Sequence, residues 1–119
     1  MGDLTENFSR SEFACRCGCG FDDISRELVV KLQKARDYCS IPMKINSACR
    51  CEEYNNRVGG SPTSSHKKGL AADIDCGSKS EMYVFLKKLL PWFQRIGIYQ
   101  DELFIHVDVD PDKTSPIIW

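Results

Sequence analysis

The stretch RIGIYQDELFIHVDV (Arg95–Val109) holds two β-rich runs, RIGIY and ELFIHVDV, separated only by Gln100 and Asp101, a spacing that predicts an antiparallel hairpin. In the second run Glu102, Phe104, His106, Asp108 and Asp110 occupy alternate positions and therefore share one face. Working upstream, LAADIDC (Leu70–Cys76) is apolar on alternate positions and closed by Gly77, which reads as another strand. Met43, Ile45 and Ser47 in SIPMKINSACR (Ser40–Arg50) give a further brief one after Pro42. Two helices flank these strands. Ile24, Leu28, Val29, Leu32, Ala35 and Arg36 recur at helical spacing between Asp22 and Cys39, with Asp22, Asp23 and Ser25 as caps. Met82, Phe85, Leu86, Leu89 and Leu90 form a second stripe that starts at an N-cap, Ser80, and ends at Pro91. The expectation is one α+β domain over 1–119, a small antiparallel sheet with its helices packed mainly on one side.

Between these elements, EEYNNRVGGSPTSSHKK (Glu52–Lys68) is polar and carries Gly59, Gly60 and Pro62; it reads as a loop, with a helical turn at its start, that delivers His66. The tail after Pro111 has no period, and no internal repeat or linker is present. Sixteen basic residues oppose seventeen acidic ones, a net charge of −1, with no basic block, which argues against a nucleic-acid partner. No run approaches the roughly 18 apolar residues of a membrane span, and MGDLTENFSRSEF (Met1–Phe13) lacks the features of a secretory signal. Synthesis in the cytoplasm without a signal peptide, and a monomeric state, are the corresponding expectations.

Seven cysteines are many for 119 residues. The C-x-C spacings of CRCGCG (Cys15–Gly20) and CRC (Cys49–Cys51) differ from the usual C-x2-C zinc knuckle, and the count is odd. Reduced, partly buried structural thiols are the first reading, with a second metal site or disulfide bridges as alternatives.

Only two histidines occur, His66 and His106, each near acidic residues and on or beside an expected strand. Catalytic zinc commonly takes three protein ligands of the histidine and carboxylate type and leaves one position for water. His66, Asp73 and His106 supply such a set. Gly69 lets the backbone turn just after His66, so that the strand carries Asp73 back beneath it; Ala71 shares that face and is small. Asp75 shares it too, as a rival ligand or as an acceptor for a histidine N–H. A solvated loop histidine and a satisfied sheet histidine beside a polar face would produce the same residues.

The motifs add to this. SSHKKGLAADID (Ser64–Asp75) resembles the first zinc motif of the M15 peptidases, the family of D-alanyl-D-alanine carboxypeptidases and phage endolysins. FIHVDVD (Phe104–Asp110) is similar to the second motif in the branch that carries H-V-D, and INSACRCEEYNNRVGG (Ile45–Gly60) and NFSRSEFACRCGCG (Asn7–Gly20) resemble two further segments of that branch, in the same order. The resemblance implies a hedgehog and D,D-peptidase-like fold and one zinc ion held by His66, Asp73 and His106. It implies Arg50 as the holder of a substrate carboxylate or carbonyl oxygen, a role suited to a planar guanidinium, and Ser64 as the motif serine that orients the loop.

Many family members carry an acid three residues before the second histidine, where this chain has Leu103; Asp108 is then the first candidate for general base and Glu102 the second. Asp110 stands where the branch frequently has an arginine. The activity implied is hydrolysis of a peptide bond in a peptidoglycan stem or cross-link by a carboxypeptidase or endopeptidase, compatible with a phage or prophage lysin acting on the cell wall. The alternative is a zinc-containing peptidoglycan-binding module without turnover. A cysteine nucleophile would need a histidine base, and both histidines are assigned to the metal.

Overall fold

A computed structural model describes residues 2–119. Its chain folds as α1 (Arg26–Asp37), β1 (Lys44–Ser47), α2 (Glu52–Arg57), β2 (Ala71–Asp75), α3 (Lys79–Leu89), β3 (Arg95–Tyr99), β4 (Phe104–Asp108) and β5 (Ile117–Ile118), with 3-10 turns at Arg10–Phe13 and Ser65–Lys68. The five strands form one sheet in the order β1-β2-β4-β3-β5, antiparallel except where β5 runs parallel to β3. The α+β architecture is the one expected from the sequence.

Local chemistry sets the boundaries. Ser25 caps α1 by accepting from the Leu28 N–H at 3.3 Å, so the helix starts inside the expected span. For α3 the cap is Ser78, not Ser80: its hydroxyl accepts from the Glu81 N–H at 3.1 Å, and Ser80 lies within the first turn. Pro91 lies just beyond the last turn. The connection between β3 and β4 is longer than the two residues expected, running from Gln100 to Leu103, which adopts φ 57. A branched side chain in this left-handed region is disfavoured, and the position is fixed by a hydrogen bond from the Cys76 N–H to the Leu103 carbonyl at 2.9 Å.

Period two gives the sheet two unlike faces. Ile45, Ile74, Ile105, Val107 and Ile96 point to one side and are buried against Leu28, Val29 and Leu32 of α1 and Met82, Phe85 and Leu89 of α3. Full burial of each such side chain contributes roughly 1.5–3 kcal/mol relative to exposure, which makes this layer the main source of stability. Phe8 and Phe13 close one end of it, their rings 5.9 Å apart. The opposite face presents Asp73, His106, Asp108, Arg95 and Tyr99 to a cleft, so the core fixes the sheet and leaves its other side for chemistry. Among the described residues no helix is long and apolar enough to cross a membrane.

The tail, without period in the sequence, has a definite place. Ile117 and Ile118 add to the edge of β3, and the Ile98 N–H donates to the Trp119 carbonyl at 2.6 Å while the Trp119 N–H donates to Ile96 at 3.0 Å. A side chain at Gly97 would meet the Trp119 indole at 2.7 Å, so the glycine of RIGIY makes room for the ring.

Candidate metal centre

Strand register brings the first pair together. Asp73 on β2 lies directly opposite His106 on β4, and Gly97 on β3 lies opposite His106 from the other side. His66 arrives from the 3-10 turn Ser65–Lys68, so the expected loop is a turn of helix at this point. Ser64 caps that turn, its hydroxyl accepting from the His66 N–H at 3.2 Å, and Gly69 ends it at φ 69, a conformation that places the chain into β2.

The result is a convergence of three ligand atoms. Oδ1 of Asp73 lies 3.2 Å from Nε2 of His66 and 3.0 Å from Nδ1 of His106, and the two rings stand 5.2 Å apart at 73°. All three groups have a ligand atom within 4.8 Å of the others. His66 is 3% exposed and Asp73 6%, so water does little of the work of separating them.

The far nitrogen of each ring fixes which face it turns inward. Nδ1 of His66 donates to the Ala48 carbonyl at 2.7 Å, which leaves the lone pair on Nε2. Nε2 of His106 lies 2.7 Å from Oδ2 of Asp108, which leaves the lone pair on Nδ1. Neutral rings in these tautomers turn two imidazole lone pairs towards a carboxylate oxygen, a donor set that a cation satisfies; without a cation, a proton on an inner ring nitrogen takes its place as a hydrogen bond to Asp73. Nitrogen and oxygen donors in this number suit a divalent transition ion such as zinc, so the residues fit a metal.

Around the three groups lies a ring of charged partners. Arg50 donates from Nε to Ser47 at 3.0 Å, from Nη1 to Asn55 at 3.3 Å and from Nη2 to Oδ2 of Asp73 at 3.3 Å. Asn55, fully buried, also donates to the Ser61 carbonyl at 2.8 Å and thereby locks the loop beside Arg50. Arg95 donates from Nε to Oδ1 of Asp108 at 2.6 Å, and Asp110 N–H donates to the same oxygen at 3.2 Å.

Titration behaviour follows from these contacts. Burial alone would raise the Asp73 carboxyl, but the hydrogen bonds from His106 and His66 hold it well below the ordinary carboxylate range. Burial works likewise on Asp108 and is outweighed by His106, Arg95 and the Asp110 N–H, so this carboxyl too is lowered. For His106 burial favours the neutral ring, and Asp108 and Asp73 together reverse that and raise it. Burial pushes the Cys49 and Cys76 thiols up to about 11, so both are protonated at neutral pH and unfit as nucleophiles.

The remaining expected residues fall at different distances from the centre. Arg50, Ser64, His66, Asp73, Glu102, His106 and Asp108 all line one cleft of about 620 Å³. Glu102 is exposed on the β3 to β4 connection and has no ion-pair partner among the described residues, whereas Asp108 is buried between His106 and Arg95. Asp75 lies outside the cleft lining and accepts from Asn46 at 3.4 Å. Asp110 is buried away from the centre and accepts from Ser65 at 2.8 Å and from Lys68 at 3.2 Å.

Three contributors had no sequence signal strong enough to single them out. Arg95 sits in a strand where it reads as a surface charge. Tyr99 reads as a sheet aromatic, yet it stacks on Phe104 at 4.4 Å and accepts from the Trp119 indole at 3.0 Å. Trp119 reaches the cleft from the aperiodic tail, its ring 5.5 Å from that of His106 and 5.1 Å from the Arg95 guanidinium. The glycine at 97 was the available clue.

No curated protein matches this chain. A family model described as Peptidase M15 matches residues 6–108, a span that takes in Arg50, both histidines, Asp73 and Asp108. With the donor set and most of its sequence within that match, the chain belongs to the M15 peptidases, a family of metal-dependent peptidases.

Proposed function

We propose that this protein is a zinc metallopeptidase that hydrolyses a peptide bond of bacterial peptidoglycan, as a D,D-carboxypeptidase or as an endopeptidase of the endolysin type, with one zinc ion held by His66, Asp73 and His106. The observation that carries the proposal is the meeting of Nε2 of His66, Nδ1 of His106 and Oδ1 of Asp73, each ring held in the required tautomer from behind. Zinc in such a site supplies a Lewis acid that acidifies water and polarises a carbonyl.

The chain's own groups take the other roles. Arg50, anchored by Ser47 and Asn55, presents a planar guanidinium to a substrate carboxylate or to the oxygen that gains charge as the carbonyl is attacked. Glu102, exposed in the cleft lining and without an ion-pair partner among the described residues, takes the proton of the attacking water and returns it to the leaving amine. Asp108, committed to His106 and Arg95, holds the ring of His106 in place. Ser64 holds the turn that bears His66. Tyr99, Phe104 and Trp119 give the cleft an aromatic wall for the methyl-bearing backbone of an alanine-rich peptide.

The test is metal analysis joined to digestion of purified muropeptides. One zinc at the histidine centre and a defined cleavage product support the proposal, and mass spectrometry of the product identifies the bond. Cleavage undiminished in His66→Ala overturns it. A second reading, a zinc-containing module that binds peptidoglycan without turnover, draws on Leu103, which stands where many relatives carry an acid. Tight muropeptide binding with no product at any zinc concentration would favour that reading.

A further inference from the structure

The seven cysteines separate into two populations. Cys39, Cys49 and Cys76 are buried among apolar neighbours, as ordinary core thiols are. Cys15, Cys17, Cys19 and Cys51 instead gather at one place on the surface, two of them exposed, although Cys51 is 36 residues along the chain from Cys15. No apolar core explains the convergence of exposed thiols.

Their sulfurs all lie within 4.8 Å of one another, with Cys15 to Cys17 at 3.5 Å and Cys17 to Cys51 at 3.6 Å. Four sulfurs at about 2.3 Å from a tetrahedral ion stand about 3.8 Å apart, slightly more than the two shortest separations and inside the 4.8 Å that contains all four. They are far beyond the roughly 2.05 Å of a disulfide bond. Along an extended strand alternate sulfurs of C-x-C-x-C would be spread over about 6.8 Å per step. Here Gly18, at φ 80 and with open space around it, turns the chain, and its N–H closes back on the Cys15 carbonyl at 3.2 Å. The unusual spacing is therefore how one loop delivers three sulfurs, with the fourth coming from the segment beside it.

Backbone donors already face the sulfur side. The Cys51 N–H points at Cys15 Sγ at 3.4 Å, and the Tyr54 N–H at Cys51 Sγ at 3.4 Å, contacts that favour negative sulfur. Arg16, between two of the thiols, is tied down elsewhere: its guanidinium donates to the carbonyls of Glu12 at 2.8 Å, Ile45 at 3.0 Å and Asn46 at 3.3 Å, anchoring the loop to β1.

We propose that Cys15, Cys17, Cys19 and Cys51 form a tetrathiolate zinc site, distinct from the histidine centre, that clasps the N-terminal loop to the segment carrying Arg50. Four thiols lose their protons as the ion binds, and a closed four-sulfur shell leaves no position for water, so the site is structural. Its reach is functional all the same. Cys51 follows Arg50 directly, and the Arg50 N–H donates to the His66 carbonyl at 3.0 Å, so the clasp steadies two cleft segments at once. The inference stands independently of the substrate proposed above.

The test uses the full chain expressed with zinc and purified under reducing, oxygen-free conditions, with metal measured by inductively coupled plasma mass spectrometry. Expected are two zinc ions per chain in the wild type, one in Cys17→Ser/Cys19→Ser and one in His66→Ala/His106→Ala. With cobalt in place of zinc, a strong sulfur-to-cobalt charge-transfer band in the near ultraviolet is expected in the wild type and in the histidine variant, and not in the cysteine variant. The cobalt spectrum of the wild type decides the matter even if a variant fails to fold. Zinc content unchanged by Cys17→Ser/Cys19→Ser, no charge-transfer band in the wild type, iron in the purified site, or disulfides among these four residues would each overturn the proposal.

Discussion

Replacing Asp108 by asparagine separates positioning from proton transfer. Oδ1 of Asp108 accepts from Arg95 Nε at 2.6 Å and from the Asp110 N–H at 3.2 Å, and Oδ2 faces His106 Nε2 at 2.7 Å. An amide can keep its oxygen on the first two donors only by turning its NH2 towards His106. Nε2 must then accept, and the ring proton moves to Nδ1, which faces the centre. Zinc binding has to undo that tautomer, and loss of such a supporting hydrogen bond typically costs about 10–100-fold in metal affinity. One charge-assisted bond on a buried group is also lost, about 1.5–3 kcal/mol of stability. Chelator competition gives the zinc affinity of wild type and Asp108→Asn, and muropeptide turnover is then measured with both saturated in zinc. The expected result is weakened zinc binding with most of the turnover recovered at saturation. Wild-type zinc affinity together with abolished turnover would refute the reasoning and make Asp108 itself the proton carrier, leaving Glu102 without that role.

Further outcomes can be measured on the same preparation. Arg50→Lys keeps the charge but loses the planar fork that Ser47, Asn55 and Asp73 orient, and kcat/KM is expected to fall roughly 10–100-fold with zinc content unchanged, as read by steady-state kinetics. Glu102→Gln is expected to leave melting temperature and zinc content at wild-type values while kcat drops about 100-fold or more. The carboxyl of Asp110 would be raised by burial, but Ser65, the Asp112 N–H and Lys68 bring it below the ordinary range. A lowered carboxyl contributes stability that is complete above the unfolded value of about 3.9 and is lost as pH falls through the lower folded value, so the melting temperature should fall below about pH 4. Asp110→Asn should be less stable at neutral pH and show a shallower fall across that window. Phe85→Ala, at a fully buried position under the sheet, is expected to cost about 3–5 kcal/mol, measured by denaturant unfolding.

How much could be read from the sequence depended on the kind of signal each residue carries. Period two placed His106 and Asp108 on one face, and burying Ile74 and Ile105 puts Asp73 on the same face as His106, while the pairing that sets the two directly opposite is a fact of the folded sheet. Helix stripes were equally readable, because Leu28, Leu32, Phe85 and Leu89 repeat at the helical period for the same reason. Cap positions were less so: Ser78 and Ser80 are both good caps, and only the path of the chain out of β2 chooses between them. Leu103 gave no hint of its φ, which tertiary contacts impose. The role of Arg95 depended on a carboxylate thirteen residues away, and that of Trp119 on a parallel strand pairing, both non-local facts that a window on the sequence does not contain.

The cleft gathers segments that are far apart in the chain, and each of its key side chains is held by a hydrogen bond from behind. His66 is fixed by the carbonyl of Ala48, Arg50 by Asn55 and Ser47, and His106 by Asp108 and Arg95. Arg95 in turn donates to the carbonyl of Thr114 and lies against Trp119, so the tail is joined to His106 through two side chains. Loosening the tail therefore reaches the donor set through His106, although no tail residue belongs to that set. The geometry of a site assembled in this way depends on the sheet edge and on the turn capped by Ser64. With the three donors coming from separate segments, the contacts behind them set the geometry in which a metal could be held.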